Sequence, residues 1–419
     1  MSKSISIPAQ TYTGNVRDFG SLVTFLISQL KPRGKMLTPF NIITAPIILV
    51  GGVLIVIRFW KGIGYVSNLS QEFPWGIWIG FDVVTGVAFA AGAYVLTFVV
   101  DILKFKKYEP VLRATVLNGL LAYVFYSGAL LIDIGRPWNI VNPIIGNKFG
   151  FSSVMFLVAW HFLLYMICEF LEFAPAIAEW LGWWKLRKFL HAITAGAVIL
   201  GITLSTLHQA GLGSLFLLAR NKIHPLWYSQ HIPMLFFVSS IFAGLSIVII
   251  ESSLTHRIFA HRLPKGNHGG HDEIVLGLSK GAAGTMLAYF FLKIVEIVHG
   301  QNIHLLSTPM GQWYLLEVLG FVLFPAFLFL SAIKRRSVKM AQFAAVLTAL
   351  GIMLNRLNIS IIAFKWDSPN HYYPSWHEVV ITGAIISIEL WAFRWIVNRM
   401  PVLDERHDPQ EVKMNNRRH

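Results

Sequence analysis

The stretch Thr203-Leu-Ser-Thr-Leu-His208-Gln209-Ala-Gly-Leu-Gly-Ser214, then His224-Pro-Leu-Trp-Tyr228, gathers residue types that do chemistry in an apolar setting. An imidazole and an amide close a long apolar run. A glycine-rich turn is expected next, with aromatic residues and a second histidine just beyond it. Polar groups beside Trp and Tyr at one depth suit a small amphipathic ligand that enters sideways from a bilayer, and a quinone is such a ligand. On this reading His208, Gln209, His224 and Tyr228 contact the ligand, with Trp138 beside them. The plainer reading of the same residues is an interfacial aromatic belt and a helix cap.

More ionisable groups stand inside apolar runs, where each costs about 2.5–3.5 kcal/mol on insertion scales. Asp82, Asp133, Arg136, His208, Glu317 and Arg356 fall in roughly one layer near one end of their runs. Opposite charges at matched depth can pair, which lowers the cost of burial. Reducing a quinone puts negative charge on its oxygens, so the site needs a donor or cation at a carbonyl and a source of protons. His208 is the expected carbonyl partner, Asp82 or Asp133 would pass protons, and Arg136 would orient the carboxylate. Structural interhelical pairs are the alternative for any one of these residues. A second set, Glu169, Glu172, Glu251, Lys280 and Glu389, lies lower, where snorkelling accounts for most of it. His161, Lys280, Glu389, Glu317, Lys293 and Glu296 are the groups that would line a proton path to the site. A filled, structural hydrogen-bond network is the alternative to that path.

These residues must be positioned by membrane-spanning helices. Of 419 residues 55% are hydrophobic and only 13% charged, with mean hydropathy +0.58. A soluble domain carries about 25% charged residues. Ten stretches are long enough to cross a bilayer: 41–58, 78–100, 114–132, 151–171, 190–208, 232–250, 275–298, 313–333, 341–363 and 379–398. The fold class is therefore an all-α polytopic membrane protein. Its organisation reads as an amino-terminal arm 1–36, a membrane domain 37–400 and a tail 401–419. Of 35 Lys and Arg, 24 fall in the two tails and the loops after even-numbered spans, against seven in the other loops. Such a bias puts both termini in the cytoplasm. The net charge of +14 is mostly this topology signal, and no nucleic-acid partner follows from it.

No cleavable signal peptide is expected, because residues 1–40 are mixed polar and the run Ser21–Leu30 lacks a small-residue cleavage site. That run reads as an interfacial amphipathic helix or a disordered arm. Cys168 is the single cysteine, so the chain alone cannot hold an Fe–S cluster. His256, His261, His268 and His271 share a Gly-rich loop with loose spacing, and no metal is assigned to them. A bis-histidine haem needs two imidazoles facing each other at one depth. His161 is mid-span, His191 and His208 lie near opposite ends of one span, and His299 and His304 close another. Only His208 with His299 matches in depth, and haem b is not expected.

Several motifs together resemble a known family. They are Phe73-Pro-Trp-Gly-Ile-Trp78 leading into Asp82, Asp133-Ile-Gly-Arg-Pro-Trp138, Glu169-Phe-Leu-Glu-Phe173, Ser205-Thr-Leu-His-Gln209 with Gly211-Leu-Gly-Ser-Leu-Phe216, and His224-Pro-Leu-Trp-Tyr228. The chain resembles the NrfD/polysulfide-reductase membrane-subunit family, with the HybB-type membrane subunits of periplasmic [NiFe]-hydrogenases as the nearest branch. The similarity covers roughly residues 36–400, is weaker over the last four spans and is absent from the tails. It implies two four-helix bundles with flanking helices in the bacterial or archaeal cytoplasmic (inner) membrane. It implies a subunit that exchanges electrons between a quinone, menaquinone first, and a four-cluster ferredoxin-like Fe–S subunit docked on the periplasmic face. That subunit in turn serves a catalytic subunit. The family's polar quinone-site residues carry over to Asp82, Asp133, Arg136 and His208, which stand in matching motifs, whereas His161 stands outside them. Hydrogenase is the first choice of complex, ahead of polysulfide, nitrite or Hdr-like sulfur-pathway reductases. An ion-coupled secondary transporter would use broken helices at the midplane, whereas the clearest break is expected at the outer end, after His208; a passive anchor for a periplasmic complex is the third reading.

Overall fold

The computed structural model describes residues 16, 18–33, 36–142, 150, 152–259 and 268–403. Half of the expected arm 1–36 and most of the tail 401–419 lie outside the described residues, as do His261 and the side chain of His268. A short helix, α1 (Phe19–Gln29), comes first, opened by a capping box between Asp18 and Ser21. Among the described residues ten helices long and apolar enough to cross a membrane follow: α2 (Pro39–Lys61), α3 (Trp78–Ile102), α4 (Lys106–Asp133), α5 (Val154–Leu181), α6 (Trp184–Leu217), α7 (Ile232–Ile258), α8 (Gly270–His299), α9 (Pro309–Arg335), α10 (Val338–Ile362) and α11 (Trp376–Val397). "Outer" below means the side of the aromatic loops that follow α2, α4, α6, α8 and α10.

Helices α3 to α6 pack as one four-helix group and α7 to α10 as a second, while α2 and α11 pair with each other and lean on α4. The groups meet through α3 and α6 against α7. Helix α3 is the axle of the assembly: 83% of its apolar window is buried, against 17% for α2, which faces the surroundings. Gly92 and Gly244 make the α3–α7 crossing possible, since a Cβ on Gly244 would sit 2.3 Å from the Gly92 nitrogen.

One expectation fails here. The fifth span was expected to end at His208 and give way to a glycine-rich turn, but α6 continues unbroken to Leu217. The glycines serve packing instead: a Cβ on Gly213 would meet the Pro233 backbone at 2.8 Å, and one on Gly211 would meet Val158. Glycine costs a helix about 1 kcal/mol, and here a close helix contact offsets it. His208 thus sits nine residues, about 14 Å, inside the end of a continuous helix.

Among the described residues three helices widen locally into π turns, at Trp78–Val83 of α3, Leu316–Leu323 of α9 and Asn358–Ile362 of α10, and α3 does so again at Phe98–Ile102. Such bulges are rare and concentrate at functional sites. The first carries Asp82 and the second Glu317. The first and third touch where a Cβ on Gly80 would lie 2.3 Å from the Ser360 hydroxyl.

Candidate functional site

Consecutive residues of a helix point about 100° apart, so His208 and Gln209 serve different neighbours. Gln209 Nε2 donates to the Val87 carbonyl of α3 at 2.8 Å, tying α6 to the axle. The His208 ring, 1% exposed, lies between Phe162 at 5.3 Å and Tyr123 at 5.9 Å. Its Nδ1 stands 3.2 Å from the Val158 carbonyl. A carbonyl only accepts, so Nδ1 carries the proton and neutral His208 presents Nε2 as a lone pair. That Nε2 is buried and has no hydrogen-bond partner among the described residues. His161, half-buried on α5, is close enough to interact electrostatically with it.

Below His208 a polar column runs inward. Tyr123 packs edge-on against Tyr165 at 4.7 Å. The Tyr123 and Ser205 hydroxyls face each other, short of a formed hydrogen bond. The Tyr165 hydroxyl donates to Glu169, a buried carboxyl pressed on Gly119. One helical turn further, Glu172 accepts from Thr97 at 3.4 Å and lines a 410 Å³ cavity at the inner end with Asp101, Arg113 and His191.

A second cluster joins α3, α4 and α11. Asp82 is fully buried, and its Oδ2 accepts from Thr382 at 2.8 Å while Oδ1 stays without a partner among the described residues. Tyr126, whose ring lies on Gly86, is close to both Asp82 and Glu389. Arg136 was expected to orient the carboxylate of Asp82 or Asp133. The structure places Arg58 of α2 beside Asp133 instead; this buried guanidinium donates to the Ile132 and Ile134 carbonyls, each at 2.5 Å. Arg136 and Trp138 sit past the end of α4 on the exposed outer loop, Trp138 at 71% exposure. The helix ends at Asp133, so residues three and five later no longer share its face.

The third cluster belongs to the second helix group. Glu317 accepts from Trp227 Nε1 at 2.7 Å, from Asn355 Nδ2 at 2.7 Å and from Asn358 Nδ2. Arg356 donates to Asn355 at 2.8 Å and to Ser239 at 2.7 Å, with its guanidinium 3.6 Å from the centre of the Phe236 ring. Buried Lys293 lies 4.9 Å above the Tyr314 ring. Glu296 pairs with His231 at 2.7 Å instead of completing an intrahelical pair with Lys293.

The single outer layer and the single proton path read from the sequence therefore resolve into separate clusters. His161 belongs with His208, Glu389 with Asp82, and Glu317, Lys293 and Glu296 with the second helix group. Lys280 is exposed on α8 and joins none of them. His299 is likewise exposed at the end of α8, so it does not face buried His208, and this donor set does not fit a bis-histidine haem. Arg58, Tyr123, Tyr126, Tyr165, Thr382, Trp227, Asn355 and Asn358 were not singled out from the sequence. The polar run Asn355-Arg356-x-Asn358 inside an apolar span was the available signal for part of this set.

The outer loops form a fitted cap. His224 is buried; its Nδ1 accepts from the Leu226 amide at 3.2 Å, its own amide donates to Ala363 at 2.9 Å, and its ring abuts Trp366 at 4.6 Å. Burial lowers its imidazole below the usual range. Tyr228, half-buried, donates its amide to the His224 carbonyl at 3.1 Å. These contacts make His224 and Tyr228 part of the cap rather than neighbours of His208. Buried Glu378 accepts from the Asn68 amide at 2.9 Å and from the Tyr372 hydroxyl, fastening the α2–α3 loop to the start of α11. On the surface Lys365 pairs with Glu72 at 3.3 Å, and that bond holds the Glu72 carboxyl below its usual range.

Ten apolar helices enclosing buried acids, imidazole and arginine, under an aromatic cap, define a polytopic membrane subunit with a polar interior. The model of the family described as polysulphide reductase, NrfD matches residues 65–366, and the chain belongs to that family. It is 41% identical over 380 residues to a protein of Nitratidesulfovibrio vulgaris (strain Hildenborough), covering 90% of this chain and 98% of the relative. It is 32% identical over 375 residues to the probable Ni/Fe-hydrogenase 2 b-type cytochrome subunit of Escherichia coli K12, covering 88% and 94%. A third relative, the menaquinone reductase integral membrane subunit of N. vulgaris, is 25% identical over 398 residues, covering 85% and 88%.

Proposed function

We propose that this chain is the quinone-reactive membrane subunit of a multi-subunit redox complex, with His208 at the head-group site. The observation that carries this reading is the bare Nε2 of His208, held between Tyr123 and Phe162 with its tautomer set by the Val158 carbonyl. A quinone oxygen or quinol hydroxyl would complete the hydrogen bonding of this nitrogen. Helix α5, which supplies Val158 and Phe162, has only 22% of its apolar window buried, so His208 stands behind a lipid-facing helix, the side from which a quinone would approach.

Two electrons and two protons convert a quinone to a quinol. The chain has one cysteine and cannot hold an Fe–S cluster alone, so the electrons come from a partner Fe–S subunit on the outer, periplasmic face. Neutral His208 offers a lone pair, which accepts a quinol hydroxyl and takes its proton; once protonated it donates to a quinone oxygen. Asp82, with one free oxygen and Glu389 nearby, supplies or removes the second proton. The Glu169–Tyr165 pair stands on the inner side of the same helix group. The bias of Lys and Arg supports cytoplasmic termini, and the family supports a bacterial or archaeal inner membrane. Relatives named for hydrogenase and menaquinone reductase complexes support this reading, with hydrogenase as the first partner and menaquinone as the first quinone.

The test is purification of the native complex followed by parallel turnover with a naphthoquinone analogue and with a soluble dye. Quinone-dependent turnover that requires this chain supports the assignment. A complex that turns over dye yet never reacts with quinone would leave the chain a passive anchor.

A further inference from the structure

At the inner end of the molecule, where the α2–α11 pair leans on α4, a 630 Å³ cavity opens between that pair, α4 and α7. Its volume falls within the range of sites that hold small molecules, about 300–1,000 Å³. The walls are apolar, with Ile247, Leu254, Leu390 and Phe393 among them, and two charged side chains also reach it, Glu251 of α7 and Arg394 of α11. Both Glu251 carboxyl oxygens are buried and have no hydrogen-bond partner among the described residues. Burying such a group without a partner is costly, so a bare carboxyl in the wall between this cavity and a smaller one beside His256 and His271 calls for a donor. Arg394 gives one N–H to Asn41 at 3.1 Å and lies over the Phe40 ring at 5.7 Å. A guanidinium has further donors left for an anion.

We propose that this cavity holds a phospholipid with a primary-ammonium head group, the ammonium on Glu251 and the phosphate on Arg394. One carboxylate and one guanidinium on an otherwise apolar surface complement a zwitterion, and an ammonium supplies the N–H donors that the carboxylate lacks. Glu251 lies seven residues from the end of α7 and Arg394 three from the end of α11. The head group is therefore turned inward, amine deeper than phosphate, and the acyl chains run along Ile247, Leu254 and Leu390. The lipid fills the joint between the peripheral helix pair and the bundle and binds apart from the quinone chemistry.

The test uses the full chain, purified in its complex, stripped of lipid by detergent and then offered three lipids. They are phosphatidylethanolamine, phosphatidylcholine (the same zwitterion without N–H donors) and phosphatidylglycerol (the phosphate without an amine). Retained lipid is counted by mass spectrometry and stability is followed by thermal melting. The amine lipid is retained about tenfold over its trimethylated counterpart, the worth of one charge-assisted bond, and it alone raises the melting temperature. Glu251→Gln removes that preference, and Arg394→Gln weakens retention of all three. Leu254→Trp, at a partly exposed wall position, fills the space and abolishes retention even if Glu251→Gln fails to accumulate. Equal retention of the three lipids, an unchanged preference in Glu251→Gln, or recovery of a quinone from the cavity would overturn the proposal.

Discussion

Replacing His208 by alanine separates the structural from the chemical role of this side chain. Two structural losses are legible. The Nδ1 bond to the Val158 carbonyl, 3.2 Å long, contributes about 1 kcal/mol as a neutral buried bond. Deleting the ring beside Phe162 and Tyr123 leaves a cavity of the kind that costs about 3–5 kcal/mol for larger rings. Both lower the melting temperature of the complex. The chemical loss is Nε2, and it acts only where a quinone is bound. A positioned acid–base group contributes about 10²–10⁴-fold, equivalent to about 3–5 kcal/mol of barrier. The assay runs quinone-analogue turnover and dye-linked turnover of the catalytic partner side by side on one preparation. Quinone-linked kcat/KM is expected to fall by that factor while the dye-linked rate holds. His208→Gln restores much of the packing and part of the melting temperature, yet stays slow because an amide is no base. Wild-type quinone turnover in either variant refutes the role assigned to Nε2.

Asp82→Asn keeps an acceptor for the Thr382 hydroxyl but cannot carry a proton. Quinone-linked turnover drops about 10²-fold, with assembly unchanged on a native gel. Glu317→Ala strands three donors, Trp227, Asn355 and Asn358, and leaves Lys293 and Arg356 without their nearby carboxylate. Breaking a buried charge set costs about 3–5 kcal/mol, so the chain fails to accumulate in membranes, while Glu317→Gln accumulates in part. His224 is held below its usual value of 6.5 by burial. The unfolded loop thus takes up a proton before the folded one does, and the contribution present above about pH 6.5 is lost as pH falls toward the lower folded value. The protection of the His224 amide, bonded to Ala363 and measured relative to its intrinsic exchange rate, should fall below that pH in the wild type and show no such step in His224→Gln.

The ten spans were readable because twenty apolar residues have few other uses. The partnering of their polar groups was not, for reasons particular to each. Arg58 was counted as a loop charge, yet it turns inward because the Ile132 and Ile134 carbonyls at the end of α4 are open to it. Arg136 looked better placed in sequence, but the helix had already ended. Gly211 and Gly213 read as a turn, since glycine's two uses, bending a chain and letting helices approach, leave the same letter. Asp82 and Glu317 were legible as costly residues, whereas the π turns that carry them leave no mark in hydrophobic spacing. Residues such as Tyr123 and Thr382 look like ordinary core positions until their neighbours on other helices are known.

Helix α6 has 34 residues, a length of about 51 Å, while the hydrocarbon of a typical bilayer is about 30 Å thick. Its base is fixed by Lys185, Arg187 and Lys188, which belong at the head groups. His208 then stands about 36 Å along the rod, at the rim of the oil rather than within it. The distance from that base to the imidazole is set by the rod, so with His208 as the proposed head-group site the thickness of the surrounding lipid decides whether a quinone ring meets it at its natural floating depth. Thin membranes force the ring to climb toward water, and thick ones drown the site. The protein is in this sense a gauge cut for one bilayer, and short-chain and long-chain lipids will tune its turnover without touching a single residue of the site.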